Sequence, residues 1–190
     1  QRCASAGSVG AMTQQQRRVV VTGASSGIGA AAVRMFRANG WAVLGVARRA
    51  DRLEALAVET GCDVMVVDVT DSDSVAAMVE RLEQLGPVHA LVNNAGGAFG
   101  QDSAETGDVE EWRRMYEVNV IGVKRVISAV LPLLRRAVAP RDSASIVNIT
   151  SIAGHVAYEG GGGYNAAKFA AHALTAVLRR RLFVSACFRC

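Results

Sequence analysis

Lysine is almost absent from this chain of 190 residues, since it occurs only at Lys124 and Lys168 against nineteen arginines. Long apolar runs are missing too, and none approaches the roughly 20 residues that a membrane-spanning helix needs. The four cysteines show no disulfide framework. These absences exclude a transmembrane protein and a disulfide-stapled secreted domain, and they favour a reducing, cytoplasmic location.

The two ends of the chain give little indication of function. Residues 1–16 are rich in Ala, Ser, Gly and Gln and lack the apolar centre of a secretory signal, so we expect a disordered lead-in. Residues 184–190 form an aberrant tail in which Cys187 and Cys190 have C-x-x-C spacing. Without a second ligand pair this spacing favours chance over a metal or redox site, and we predict no metal.

The net charge of +4 does not indicate nucleic-acid binding. Basic residues form only short clusters, at positions 17–18, 48–49 and 179–181, whereas a surface that binds polyanions concentrates them in a patch or stripe. With 51% hydrophobic and 20% charged residues, the composition is typical of a globular protein. We predict one domain, over residues 17–183.

Short apolar runs alternate with segments of helical spacing. The runs predict strands at residues 19–22, 41–47, 63–67, 89–92 and 145–150. Helices are predicted at residues 27–39, 51–59 with Asp51 as N-cap, 71–85, from about Val109 with a kink or break at Pro132, and from Tyr164 to about Phe183. This alternation predicts an α/β fold with a doubly wound parallel sheet whose ligand site lies beyond the carboxyl ends of the strands.

A glycine-rich turn joins the first strand to the first helix, with the spacing Gly23-x-x-x-Gly27-x-Gly29. Glycines in this position allow a tight turn and close approach of the backbone to a pyrophosphate, and the helix start offers amide donors to it. A glycine-rich turn without a ligand is the alternative. The position between strand and helix favours a dinucleotide site.

Tyr164 and Lys168 stand four residues apart and therefore share one face of the predicted helix. A free phenol has a pKa of about 10 and is a poor acid or base near neutrality. A fixed positive charge beside it favours the phenolate and makes acid–base catalysis efficient at the working pH. The alternative is an exposed helical pair with no chemistry.

Together these motifs resemble the short-chain dehydrogenase/reductase family, from about Arg18 to about Arg180. The glycine spacing is that of the family's cofactor loop, and residues 93–96, Asn-Asn-Ala-Gly, match its motif after strand four. Asn119, Ser151, Tyr164 and Lys168 match its catalytic tetrad. An extended-branch epimerase or dehydratase also has Tyr-x-x-x-Lys, but the glycine spacing is the short-branch form.

The resemblance implies an oxidoreductase that interconverts a carbonyl and an alcohol by hydride transfer. Tyr164 would donate or accept the proton, and Ser151 would hydrogen-bond the reacting oxygen. Lys168 would favour the phenolate form of Tyr164 by its positive charge and would hold the nicotinamide ribose hydroxyls. Asn119 would organise a water molecule beside Lys168. The implied cofactor residues are Gly23, Ser25, Ser26, Gly27, Ile28, Gly29, Arg48, Arg49, Asp68, Val69, Asn94, Ala95, Gly96, Tyr164 and Lys168.

The end of the second strand favours NADP over NAD as the cofactor. An enzyme that selects NAD usually places an acidic side chain there, for the ribose 2′-hydroxyl. This chain has Ala47, followed by Arg48 and Arg49, which could pair with a 2′-phosphate. Arg48 is the chief candidate. Two solvated arginines with no ligand are the alternative.

The C-terminal part departs from the family pattern, because no Pro-Gly follows Lys168. We therefore expect a truncated Rossmann-like sheet of strand order 3-2-1-4-5 with the last strands missing. We therefore expect weak or absent turnover from these 190 residues, and a non-catalytic NAD(P)-binding fragment is the alternative function. The resemblance also implies a small-molecule carbonyl or alcohol substrate and a homodimer or tetramer.

Overall fold

The computed structural model describes residues 16–100, 103–138, 143–182 and 188–189. The predicted lead-in, apart from Gln16, and most of the predicted tail lie outside these residues. Six strands and six α-helices occur in the described chain, and they alternate except that the fourth and fifth helices follow each other without a strand between them. The strands are β1 Arg18–Thr22, β2 Ala42–Ala47, β3 Asp63–Val66, β4 Ala90–Asn93, β5 Ala144–Asn148 and β6 Phe188–Arg189. The helices are α1 Gly27–Ala38, α2 Ala50–Thr60, α3 Ser72–Leu85, α4 Val109–Tyr116, α5 Gly122–Ala137 and α6 Gly162–Leu182.

The strands form one sheet in the order β3-β2-β1-β4-β5-β6, and every neighbouring pair is parallel. The predicted doubly wound sheet with order 3-2-1-4-5 is therefore confirmed. One correction concerns the expectation that the last strands are missing, because a short strand, β6, pairs with the first two residues of β5. Ala144 pairs with Phe188 and Ser145 with Arg189 of the two-residue strand β6, which takes up backbone groups that would otherwise be unpaired.

Both faces of the sheet are buried, as side-chain alternation along β1 shows. Val20 belongs to a core cluster with Met78 of α3 and Leu134 of α5. Val19 and Val21 point to the opposite cluster, which includes Val33 and residues of α2. Successive side chains of a strand point to opposite faces of the sheet. A strand of consecutive apolar residues therefore presents apolar side chains on both faces, and each face needs a covering layer of helices.

Two helix predictions need correction. Asp51 is not the N-cap of α2, because Arg49 holds that position and Asp51 lies in the first turn. Pro132 does not break α5, which continues through it. Proline leaves the carbonyl of Ser128 without its helical partner, but both residues are exposed, so water can replace the lost bond.

The long helix is interrupted elsewhere, by a π segment at Glu117–Ile121 between α4 and α5. A π segment inserts a wider turn and shifts the side chains that follow it around the helix axis. Asn119 lies inside this segment and is 1% exposed. No helix of the described residues is both long and apolar enough to span a bilayer.

Candidate functional site

A cleft of about 410 Å³ opens at the carboxyl ends of β1, β2, β3 and β4. Eleven of the predicted cofactor residues line it, namely Gly23, Ser25, Ser26, Ile28, Arg48, Arg49, Asp68, Val69, Asn94, Ala95 and Gly96. In open parallel sheets this edge, next to the point where strand order reverses, is where ligands bind. The strand order reverses at β1, because β1 lies between β2 and β4.

The three glycines of the loop are required for different physical reasons. Gly23 and Gly27 have φ of 67° and 54°, which side-chain-bearing residues rarely adopt. Gly29 is needed for space, because a Cβ there would overlap the carbonyl oxygen of Gly23 and lie 2.5 Å from Nδ2 of Asn94. Gly29 is therefore buried under the loop and supports the cleft without lining it.

Thr22, which the sequence did not single out, and Asn94 fix the glycine loop to the end of β4 by hydrogen bonds. The Thr22 hydroxyl accepts hydrogen bonds from the backbone N–H groups of Asn94 and Ala95, both at 3.0 Å. The Asn94 side chain donates to the carbonyls of Thr22 and Gly23, at 3.0 and 3.2 Å. Thr22 is 1% exposed, so its hydroxyl is bonded within the protein and replaces water as the partner of these two amides. The available signal was a threonine at the end of an otherwise aliphatic strand.

The end of β2 presents two arginines and no carboxylate. Ala47 is the last strand residue and is buried, whereas Arg48 and Arg49 are exposed at the cleft. Arg49 donates to the hydroxyl of Ser25 at 2.8 and 3.1 Å and to that of Ser26 at 2.6 Å. Arg49 therefore hydrogen-bonds the glycine loop, whereas the sequence favoured Arg48 as the chief candidate for the 2′-phosphate.

Asp68 follows β3 and is held as a carboxylate. Burial raises its pKa, but hydrogen bonds from the N–H and hydroxyl of Thr70, at 2.9 and 2.8 Å, together with the charges of Arg48 and Arg125, lower it below its ordinary value. Its carboxylate thus shapes the loop after β3. Asp68 therefore caps the loop after β3 and also lines the cleft.

Tyr164 and Lys168 meet on one face of α6. Nζ of Lys168 lies 5.6 Å from the centre of the Tyr164 ring and donates to the carbonyl of Ile149 at 3.3 Å. A Cβ placed on Gly96 would lie 3.5 Å from this Nζ, so the ammonium borders the wall of the cleft. Lys168 is 6% exposed, and burial lowers the pKa of its ammonium.

Asn119, which lies in the π segment, is fixed by three side-chain hydrogen bonds to residues outside that segment. Its Nδ2 donates to the carbonyls of Gly97 and Met115, both at 2.8 Å, and its Oδ1 accepts from the N–H of Gly97 at 3.3 Å. A Cβ on Gly96 would lie 2.6 Å from that Oδ1. The side chain therefore joins the loop after β4 to the helix, and it stands on the same side of Gly96 as Lys168.

Ser151 caps a short 3-10 turn, Ile152–Gly154, by accepting from the N–H of Ala153 at 3.2 Å. The turn packs tightly on α6, because a Cβ on Gly154 would lie 2.7 Å from the carbonyl oxygen of Lys168. Asn165, which the sequence did not single out, donates to the carbonyls of Ala153 and Val156, both at 2.9 Å. These contacts fix the Ser151 segment against the helix that carries the tyrosine.

Tyr164 itself lines a second, narrow cavity of about 10 Å³. Its other walls come from the loop after β4, from α4 and from the glycine run before α6, through Phe99, Trp112 and Gly161 among others. This is about the smallest volume that can hold one water molecule.

Residues 17–184 match the family described as short chain dehydrogenase. The chain belongs to this family. It is 47% identical over 168 residues to an uncharacterised oxidoreductase of Mycobacterium tuberculosis, covering 88% of this chain and 64% of the relative. A closed form of serine dehydrogenase complexed with NADP+ has a TM-score of 0.83 at 34% identity, covering 90% of this chain and 68% of that one. A Burkholderia phymatum short chain dehydrogenase/reductase in complex with NAD has a TM-score of 0.84 at 28% identity, covering 92% and 63%.

This short chain dehydrogenase chain spans 64% to 65% of the length of the first curated relatives it matches. Of the predicted site residues, the fold groups eleven around the cleft and sets Asn119 and Lys168 behind Gly96. Gly27, Tyr164 and Ser151 do not line the main cleft. Among the described residues, no three His, Cys, Asp or Glu side chains come together as metal ligands.

Proposed function

We propose that the protein is an NADP-dependent oxidoreductase that interconverts a small-molecule carbonyl and alcohol. The observation that carries this proposal is the position of the Lys168 ammonium. It lies 5.6 Å from the Tyr164 ring and beside the wall that Gly96 gives to the cleft. The buried ammonium of Lys168 would then serve both the Tyr164 phenol, which transfers the proton, and the dinucleotide site.

The residues of the cleft fit a dinucleotide. The glycine loop leaves the approach to the start of α1 free of side chains at Gly23 and Gly27, and the Ser26 side chain caps no amide of that helix. Unpaired N–H groups at a helix start favour a phosphate. When bound, the cofactor would supply or accept the hydride.

The preference for NADP rests on the arginines after β2. Arg49, held on two serine hydroxyls, and Arg48 beside it offer guanidinium groups where an NAD-selective site would have a carboxylate. The hydroxyls of Ser25 and Ser26 retain their own protons for donation to the same anion. We infer that both arginines hold the 2′-phosphate.

Four residues divide the remaining work. Tyr164 would transfer a proton to or from the substrate oxygen, and the hydroxyl of Ser151 would donate a hydrogen bond to it. Lys168 would stabilise negative charge on the phenol and bind the ribose hydroxyls. Asn119 joins the π segment to Gly97 through two hydrogen bonds and would position a water next to Lys168.

We also propose a homodimer or tetramer built on α4 and α6. An apolar groove of about 580 Å³ runs between these helices, lined by Val109, Trp112, Tyr116 and Ala166 among others. Val109 is 60% exposed and Tyr116 is 45% exposed. Exposed apolar surface of this kind is typical of protein interfaces. The cytoplasmic location expected from the cysteines is part of the same proposal.

A second candidate is a chain that binds NAD(P) without turnover. It is favoured by the narrow cavity at Tyr164, whose volume of about 10 Å³ leaves no room for a substrate in the described arrangement. The two candidates share the cleft and differ only in whether a carbonyl can reach Tyr164.

Thermal-shift titration with NADP+ and NAD+, combined with carbonyl-dependent NADPH oxidation, tests the proposal. We expect a larger shift with NADP+ and turnover that is lost in Tyr164→Phe while the shift remains. Binding without turnover supports the second candidate. No shift with either dinucleotide refutes both.

A further inference from the structure

Arg125 of α5 holds three separate parts of the chain through one side chain. Its Nη1 donates to the carbonyl of Val69 at 2.8 Å and its Nε donates to the hydroxyl of Ser72 at 3.1 Å. Its Nη2 donates to a carboxylate oxygen of Glu117 at 3.0 Å. A planar guanidinium has the fixed fork of donors that such a contact needs, and an ammonium does not.

The first of these contacts acts on the wall of the cleft. Val69 follows β3, is 7% exposed, and lines the cleft together with Asp68. The same residue is pressed against the start of α5, since a Cβ on Gly122 would lie 2.9 Å from its Cγ2 and 3.1 Å from its carbonyl oxygen. Arg125 and Gly122 thus fix one backbone carbonyl from two directions.

The third contact reaches the π segment. Glu117 is its first residue, Val118 lines the cleft, and Asn119 follows. In a continuous α-helix, residues eight apart are about 80° apart around the axis and about 12 Å apart along it. The wider π turn changes this angle, and two extended side chains close the distance.

The Glu117 contact differs from the surface ion pairs of the chain. The side chains of Arg125 and Glu117 are 23% and 40% exposed, whereas those of the Arg136–Glu83 pair, which joins α5 to α3, are 61% and 55% exposed. A shielded charged hydrogen bond is stronger than an exposed one. Arg136 is therefore a matched control on the same helix, at the far end from the cleft.

We propose that Arg125 is a positioning residue that sets the adenosine side of the cleft relative to the Asn119-bearing π segment. This inference rests on the proposed function: the loop after β3 lies next to the arginines after β2 that are proposed to hold the 2′-phosphate, so it would border the adenosine half of NADP(H). Arg125 does not line the cleft, and it would act on the ligand through its hydrogen bond to Val69 and through its charge near Asp68.

The test compares Arg125→Met, Arg125→Lys, Glu117→Gln and Arg136→Met in the full chain. Isothermal titration measures the affinity for NADP+, for 2′,5′-ADP as the adenosine half, and for nicotinamide mononucleotide as the other half. Thermal unfolding followed by circular dichroism shows whether each variant is folded.

We expect Arg125→Met to weaken 2′,5′-ADP and NADP+ binding about tenfold, as loss of a charged hydrogen bond would. Arg125→Lys and Glu117→Gln should give smaller losses in the same direction, and Glu117→Gln decides the matter if Arg125→Met does not fold. Nicotinamide mononucleotide binding and the Arg136→Met variant should be unchanged.

Equal affinities in wild type and folded Arg125 or Glu117 variants would overturn the inference and leave the proposed function standing. Equal losses for both half-ligands would also overturn it, since they indicate a purely structural role. Failure of the wild type to bind NADP+ would overturn the inference and the proposed function together.

Discussion

Gly27 and Gly29 stand two residues apart in the same loop but are glycines for different reasons, and replacing each by alanine separates these reasons. Gly27 has φ of 54° with nothing within 4 Å of a Cβ placed there. Gly29 has a helical backbone, but its Cβ would lie 2.8 Å from the carbonyl carbon of Gly23 and 2.5 Å from Nδ2 of Asn94. Gly27→Ala thus adds backbone strain, and Gly29→Ala adds a collision.

The expected magnitudes differ accordingly. The left-handed conformation costs an alanine about 1 to 2 kcal/mol, partly offset by lower entropy of the unfolded chain, so Gly27→Ala should destabilise by about 1 kcal/mol. For Gly29→Ala, overpacking costs about 1 to 3 kcal/mol, and two Asn94 hydrogen bonds worth about 1 kcal/mol each are lost. Better helix propensity returns up to about 1 kcal/mol, which leaves a loss of about 2 to 4 kcal/mol.

Urea and thermal unfolding of the two variants measure this difference. We expect the unfolding temperature to fall by roughly 2 to 4 °C per kcal/mol in a chain of this size. The NADP+ thermal shift should disappear in Gly29→Ala, since the collision displaces the loop. Gly29→Ala that is as stable as wild type, or more stable than Gly27→Ala, would refute the close-approach argument.

Three further predictions concern polar groups of the site. Thr22→Val should destabilise by about 2 to 4 kcal/mol in urea unfolding because it leaves two amides unbonded, whereas Thr22→Ser should stay within about 1 kcal/mol of wild type. Burial lowers the pKa of Lys168 below its ordinary 10.5, so wild type should gain stability relative to Lys168→Met in thermal melts as pH rises toward that value. The pKa of Asp68 is lowered, so its contribution to stability is present above the unfolded pKa and is lost as pH falls through the folded one. The stability difference between wild type and Asp68→Asn should therefore shrink in acid titrations of unfolding.

Each has an outcome that contradicts it. Equal stability of the valine and serine variants would show that water reaches the amides of Asn94 and Ala95. A stability advantage of Lys168→Met that grows with pH would mean that the ammonium is not penalised by burial. A stability difference between wild type and Asp68→Asn that does not change with pH would show that the Thr70 hydrogen bonds do not lower the pKa of Asp68.

The glycine loop was predictable because it depends on local chemistry, whereas the strand order was expected from the resemblance to the family. A β-branched run followed by glycines and a helical pattern has few other structures available, and the alternation of strands and helices leaves few topologies. The interruption of the long helix was not predictable in this way. The sequence placed it at Pro132, but proline on a solvated helix face is tolerated, and the π segment instead lies where Asn119 bonds to Gly97 of another loop.

The amino-acid sequence by itself determined the sheet, the glycine turn and the pairing of Tyr164 with Lys168 on one helix face, because these follow from spacing within short segments. Only the tertiary structure decided that Arg49 meets Ser25 and Ser26, and that Arg125 joins the loop after β3 to the π segment. Apart from Arg125 and Glu117, which are eight positions apart, the residues in these contacts lie more than twenty positions apart in the sequence. Their geometry depends on how helices and loops pack around the sheet, which no local pattern encodes.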